Sequence, residues 1–439
     1  MIRFIPSTCL AAALMVSLAP SSARASAAHP NEVRIGGTLP LSGPESVSGR
    51  YFQEGYEIAV EEANQRGGVD AGGRVLLVQL VVRDDGGDKA RAVDAAEQLI
   101  SNDEVDFLLG TFNSANVELQ SVVAEKHGVP YVSGSGAAAG LFQRKLRYLF
   151  GLQSPVKMLA SAQMDWIEGQ QKAGNIPKPA RIALVWEDTA HGQDFRTGVL
   201  KFTERNPADW TVALDESFPV GAKDFRPLVT RVKHASADLF LADAHLPDYI
   251  ALHRQYLAAG LCHAVVSYGA RGPEKEAADA LGAKNVEYVF SAVWWNEQLA
   301  TNKGLNRTFV ERFRKKYGRA PQWQHALAYE AVRAVLAAVE SARSTSREKV
   351  REALASLQMD SILPSGRLTF PAEYGQQARY SFLVLQNQPG ERAPIVYPEY
   401  DATAPGLLNP RCTRTAKVAV PAGAGSANAL RGDPLPTNH

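Results

Sequence analysis

Cysteine is scarce in this chain: Cys9, Cys262 and Cys412 are the three in 439 residues. No two stand at the spacing of a metal-binding pair, which excludes a cysteine-built zinc module. An excess of either charge is also lacking. The formal net charge is +1, so neither a basic field for nucleic acid nor an acidic field for a cationic partner is present. Past residue 18 no apolar run is long enough to span a bilayer. HExxH and P-loop patterns are missing. The run Gly134-Ser135-Gly136 superficially matches a dinucleotide fingerprint. It lies deep in the chain, however, and lacks the acidic strand-end residue expected about 20 positions on. Ser133-Gly134-Ser135-Gly136-Ala137 departs from the nucleophile elbow at both glycine positions. Asp84, Asp85 and Asp88 lack the spacing and terminal glutamate of a calcium loop and read as a solvated turn with a helix cap. No enzymatic activity, cofactor or metal is expected.

What is present begins with an export signal. A short basic start (Met1-Ile2-Arg3) precedes the apolar run LAAALMVSL at 10–18, and small-x-small sites follow at Ala23-Arg24-Ala25 and Ala25-Ser26-Ala27. This is the plan of a secretory signal peptide, placed at 1–27. Cys9 leaves with it. In an oxidising compartment Cys262 and Cys412 have two options, a disulfide or two unrelated thiols, and the sequence leaves both open.

At 439 residues the chain exceeds one ordinary core, so two or more domains are expected. Its organising stretch is 110–140, GTFNSANVELQSVVAEKHGVPYVSGSGAAAG. A strand at 105–109 runs into the turn Gly110-Thr111-Phe112-Asn113-Ser114; after a helix, a strand at 129–132 runs into Ser133-Gly134-Ser135-Gly136. Two successive strand ends therefore offer hydroxyls, an amide and open backbone N–H groups beside helix starts. In an open parallel sheet that edge binds ligands, and helix N-termini there favour a carboxylate or phosphate.

The rest follows the same alternation. Strands at 33–39 and 75–82 flank a helix opened by Ser48-Gly49, with Phe52, Tyr56, Ala59, Val60 and Ala63 on one face. After a strand at 148–152, a second series of helices and strands runs to 293. A helical tract at 305–357 and strands at 367–370 and 380–386 complete it. The fold class is α/β, with two doubly wound parallel-sheet lobes joined by a hinge. The N-terminal lobe is set at 31–152 with a return segment at 296–357, and the C-terminal lobe at 153–295 with 358–400. A disordered tail is expected at 409–439.

VRIGGTLPLSGP, GRYFQEGYEIAVEEANQRGGV, VVRDDGGDKARAVDAAEQLI, GTFNSAN, GVPYVSGSGAA and FVERFRKKYGRAPQWQHALAYEAV together resemble the branched-chain amino-acid (Leu/Ile/Val) binding family, type I periplasmic solute-binding proteins of ABC transporters. The resemblance covers about residues 31–400. It implies a monomer whose lobes, joined by a three-stranded hinge, close over a small ligand. It implies the periplasm and delivery to an ABC permease in the inner membrane. A soluble receptor serving a signalling system is the alternative.

Carried over by position, Ser114 matches the family's carboxylate-binding serine, with Asn113 beside it in the same turn. Ser135 and the N–H groups of Gly136 and Ala137 match the second turn. Ala137 replaces a usual threonine. Ser48 falls where the family often has a covering aromatic residue. In the second lobe His191 falls where an aromatic residue commonly closes on the ligand and His245 or Leu246 falls at a similar place, surface or interlobe histidines being the alternative; Asp243 and Arg271 are set on the same closing face, and Trp295 is placed where an aromatic side chain either stacks or packs. The resemblance puts Arg271 where an acidic residue pairs with the ligand's ammonium group, which implies a carboxylate ligand without an amine, such as an aromatic, aliphatic or dicarboxylic acid. An amino acid remains open, because Asp243 could hold an amine.

Overall fold

The computed structural model describes residues 29–300, 303–390 and 393–412. The expected signal peptide at 1–27 and the tail beyond 412 lie outside them. The first lobe contains β1 (Glu32–Leu39), α1 (Ser46–Gln65), β2 (Val69–Asp70), β3 (Val75–Asp84), α2 (Lys89–Ser101), β4 (Phe107–Leu109), α3 (Ser114–His127), β5 (Tyr131–Ser133) and β6 (Leu149–Gly151). Its strand order is β2-β3-β1-β4-β5-β6, parallel except for β2. The central strands are short and apolar because helices cover both faces of the sheet. Local signals set the helix ends. Asp88 caps α2 by accepting the Arg91 N–H at 2.9 Å, and the Asp84 carboxylate accepts from Leu41, Ser42 and Gly86, so this acidic run is a turn with a cap. Gly128, at φ 60°, ends α3.

The second lobe contains α4 (Val156–Lys172), β7 (Ala180–Glu187), α5 (Ala190–Thr203), β8 (Trp210–Phe218), α6 (Arg226–Ala235), β9 (Leu239–Asp243), α7 (Leu246–Ala258), β10 (Val265–Tyr268), α8 (Lys275–Leu281) and β11 (Val289–Val293). The helical tract then divides into α9 (Lys303–Tyr317), α10 (Trp323–Ala342) and α11 (Arg347–Ala355). Gly318 (φ 68°) and Arg343 (φ 49°) mark the breaks. The α10 helix packs along α1, on the first lobe. A small pair, β12 (Met359–Asp360) and β13 (Arg367–Leu368), precedes β14 (Leu383–Gln386) and β15 (Ile395–Tyr397). The last two extend the second sheet antiparallel, in the order β15-β14-β11-β10-β9-β7-β8.

The chain thus passes between lobes three times: after β6, after β11 and before β14. These crossings are bonded to one another. Ala378 N–H donates to Gly151 O (2.8 Å), the Trp294 indole donates to Ser154 O (2.9 Å), and the Tyr380 hydroxyl donates to Leu152 O (2.8 Å). Each sheet has a switch point where the winding reverses, between β1 and β4 in one and between β7 and β9 in the other. Ligands bind outside strand C-ends at such points.

Cys262 and Cys412 form a disulfide, with Cα atoms 5.3 Å apart. Residues 409–412, expected within the disordered tail, are instead tied to the second lobe by this bond and by Asn409 N–H donating to Ala264 O at 3.1 Å. The bond spans 150 residues of sequence. Reduction is expected to cost about 2–4 kcal/mol of unfolding free energy, through the loosened unfolded chain. Urea unfolding with and without reductant measures it; coincident curves would contradict a stabilising bond.

Candidate functional site

The two turns singled out in the sequence form one wall of a cavity between the lobes. Asn113, Ser114, Ser135, Gly136 and Ala137 border it from the first lobe, and His191, Asp243, His245 and Arg271 border it from the second. Each set sits just past the C-end of a strand near a switch point.

On the first wall, Asn113 caps α3, its Oδ1 accepting the Asn116 N–H at 3.1 Å, with φ at 70°. Capping therefore falls to Asn113, which leaves the Ser114 hydroxyl available. Ser114 Oγ accepts the Ala138 N–H across the turns at 3.4 Å and keeps its own hydrogen to donate. The second turn leads into a 3₁₀ turn at Ala139–Arg144 rather than the expected helix start. Gly136, at φ 83°, holds the backbone so close to Val117 that an added Cβ would lie 3.0 Å from it. Among the described residues the N–H groups of Gly136 and Ala137 donate to no protein acceptor. Two residues on, the Ala139 N–H is taken by a carboxylate from the opposite lobe, Asp194 Oδ2, at 2.6 Å.

On the second wall each basic group rests against an acid. The His191 Nδ1 meets Asp243 Oδ2 at 2.8 Å. His245 Nδ1 bonds Glu187 Oε2, and Glu187 Oε1 accepts the His245 N–H at 2.6 Å. Burial opposes charge on His245, yet Glu187 outweighs it and pushes the imidazole up to about 9. Burial likewise opposes charge on Glu187, and His245 holds it down at about 2. Asp248, behind them, is pushed up to about 6 by burial and by the nearby Glu187. Arg271 Nη1 donates to Glu274 Oε1 at 2.6 Å, and the guanidinium lies 5.3 Å from the Phe112 ring centre and 5.5 Å from that of Trp323. Burial raises the Glu274 carboxyl, opposed by this guanidinium.

Two expected positions lie elsewhere. Ser48 is buried inside α1, which begins at Ser46, and does not border the cavity. Trp295 donates to Asn306 Oδ1 at 3.0 Å and packs edge-on against Phe309, outside the cavity. Its neighbour Trp294 lines the cavity, with its ring centre 4.8 Å from that of Trp323. Phe112, Gln153 and Trp323 also line it and were missed. Phe112 lay within the quoted turn. Trp323 stands two positions before His325, which instead bonds Glu54 at 2.9 Å and closes the α10 capping box.

Replacing His245 by Gln gives a signed pH test. Folded His245 keeps its proton to about 9 against an ordinary value of 6.5, so its stabilisation is complete below 6.5 and is lost as pH rises through 9. Folded Glu187, held at about 2 against 4.5, contributes fully above 4.5 and loses this as pH falls towards 2. H245Q is expected to cost most between these limits, on the order of 3 kcal/mol, and less above pH 9. Urea unfolding across pH measures the difference; a constant gap up to pH 10 would contradict the pairing.

Comparison with known proteins agrees with this architecture. A family model described as periplasmic binding protein matches residues 32–390. The Leu/Ile/Val-binding protein homolog 7 of Brucella suis is 29% identical over 398 residues, 88% of this chain and 95% of the relative. The crystal structure of the branched-chain amino acid transporter substrate binding protein LivJ from Streptococcus pneumoniae, in complex with isoleucine, superposes with a TM-score of 0.71 at 20% identity, covering 84% of this chain and 100% of that one. An ABC transporter solute binding protein from R. palustris, in complex with benzoate, superposes with a TM-score of 0.70 at 19% identity, covering 88% and 99%. With two α/β lobes around one cleft and a family match along most of its length, the chain belongs to the periplasmic binding protein family.

Proposed function

We propose that this protein captures a small carboxylate-bearing ligand that lacks an amine, holds it between its lobes in the periplasm, and presents it to an ABC permease in the inner membrane. One observation carries the reading: the cavity offers several donors, and Asp243, the acid that lines it, is bonded to His191 through one oxygen. Ser114, Gly136 and Ala137 present a hydroxyl and two N–H groups on one wall. Asp243 is 3% exposed, with one oxygen on His191 and the other against Gly269, where a Cβ would lie 2.1 Å away. An ammonium group would have to share Asp243 with His191. The Asp194 carboxylate on the Ala139 N–H supports the anion preference of the same backbone segment. Phe112, Trp294 and Trp323 supply an apolar, ring-shaped surface for the ligand's body.

An amino-acid ligand is the second reading. Asp243 borders the cavity, and a relative of this fold was crystallised with isoleucine.

A thermal-shift panel on refolded, ligand-stripped protein separates the two. At about 100 times its dissociation constant a ligand adds about 2.7 kcal/mol of stability. Amine-free acids are expected to shift the transition and the matching amino acids are not; the reverse pattern overturns the reading. Ser114→Ala is expected to weaken the bound acid about tenfold, the loss of one hydrogen bond to a charged group. An unchanged affinity would remove Ser114 from the site.

A further inference from the structure

The second wall offers more donors than one carboxylate on the first wall needs. Arg271 and His245 flank the same ring, at 5.3 and 5.8 Å from Phe112. They stand close enough for the guanidinium to act against charge on the imidazole. Their counter-ions do not share the cavity. Neither Glu187 nor Glu274 lines it, and each contacts its cation from behind. Only Nη1 of the Arg271 guanidinium is engaged, so its other donors remain beside the cavity. Both His245 bonds to Glu187 use Nδ1 and the main chain, which leaves Nε2 without a protein partner among the described residues. Two like charges side by side, each with donor capacity to spare, are complementary to an anion placed between them.

We infer that the ligand carries two acid groups, one held by Ser114 and the Gly136–Ala137 amides of the first lobe and the other by Arg271 and His245 of the second. This deepens the carboxylate reading above and rests on it. A diacid of this kind joins the lobes through its own ends, so its binding energy is realised in full only when the cleft is closed. The class named is a small dicarboxylate, with its body against Phe112 and Trp323.

The test is a set of matched pairs in isothermal titration calorimetry, using the purified protein unfolded and refolded once to remove bound ligand. Succinate, glutarate, adipate, phthalate, isophthalate and terephthalate are each compared with their own monomethyl ester. The ester keeps the skeleton and removes one charge. At least one diacid is expected to bind about tenfold or more tightly than its ester, the scale of a charged hydrogen bond. His245→Gln and Arg271→Lys are expected to shrink that ratio, with folding checked by circular dichroism; Lys keeps the charge but loses the planar fork. The matched esters need no variant, so the test stands even if a variant fails to fold. If no diacid binds more tightly than its ester, the inference is overturned. Equal binding of acid and ester leaves the carboxylate reading standing alone, and a thermal shift with amino acids only, in the panel above, brings down both.

Discussion

Arg271 is buried and His245 largely so where they line the cavity, and a cation in that position persists only beside an anion. Glu274 and Glu187 fill that role, and they do so from the protein side. The consequence runs through the whole second wall. Because Glu187 and Glu274 do not line the cavity, Arg271 and His245 meet it with donors, while Asp243 reaches it bonded to His191. Gln324 of α10 also donates to Glu274, at 2.9 Å, so the pairing of Arg271 is tied to a helix of the opposite lobe. The electrostatics of the site and the closeness of the lobes are therefore parts of one arrangement.

Three crossings hold the lobes at their hinge, and a small number of bonds hold them across the cleft. The Tyr51 hydroxyl donates to Glu276, and the Ala139 N–H donates to Asp194. Both lie outside the cavity lining. Few direct bonds across a cleft suit a protein that must open, since a ligand with ends in both lobes can then supply a large share of the closing energy. The turns past both switch points line one cavity, so the sheet topology that orders the strands also brings these turns together.

Much of this was legible in the sequence. The turns at 110–114 and 133–137 announced themselves through glycine, serine and asparagine between apolar strands, and both border the cavity. The second lobe yielded His191, Asp243, His245 and Arg271 to the family resemblance, and all four line the same space. Less legible was anything decided by one residue of register. Trp294 and Trp295 are adjacent and chemically identical, and only the direction of the segment tells which faces inward. Ser48 was set over the pocket by the resemblance, with the helix opened at it; the helix starts at Ser46 and Ser48 is buried within it. The strands β2, β12 and β15 are two or three residues long, too short to show a period. The partners Glu187 and Glu274 were hidden for another reason: a counter-ion behind a site has no motif, since it is defined by distance in space.

The most direct measurement is a crystal structure of the protein carrying the ligand it retains from its own cell. The account predicts a carboxylate within hydrogen-bonding distance of Ser114 Oγ and the Gly136 and Ala137 amides, with His191 still bonded to Asp243. An ammonium group on Asp243, with His191 turned away, would contradict it.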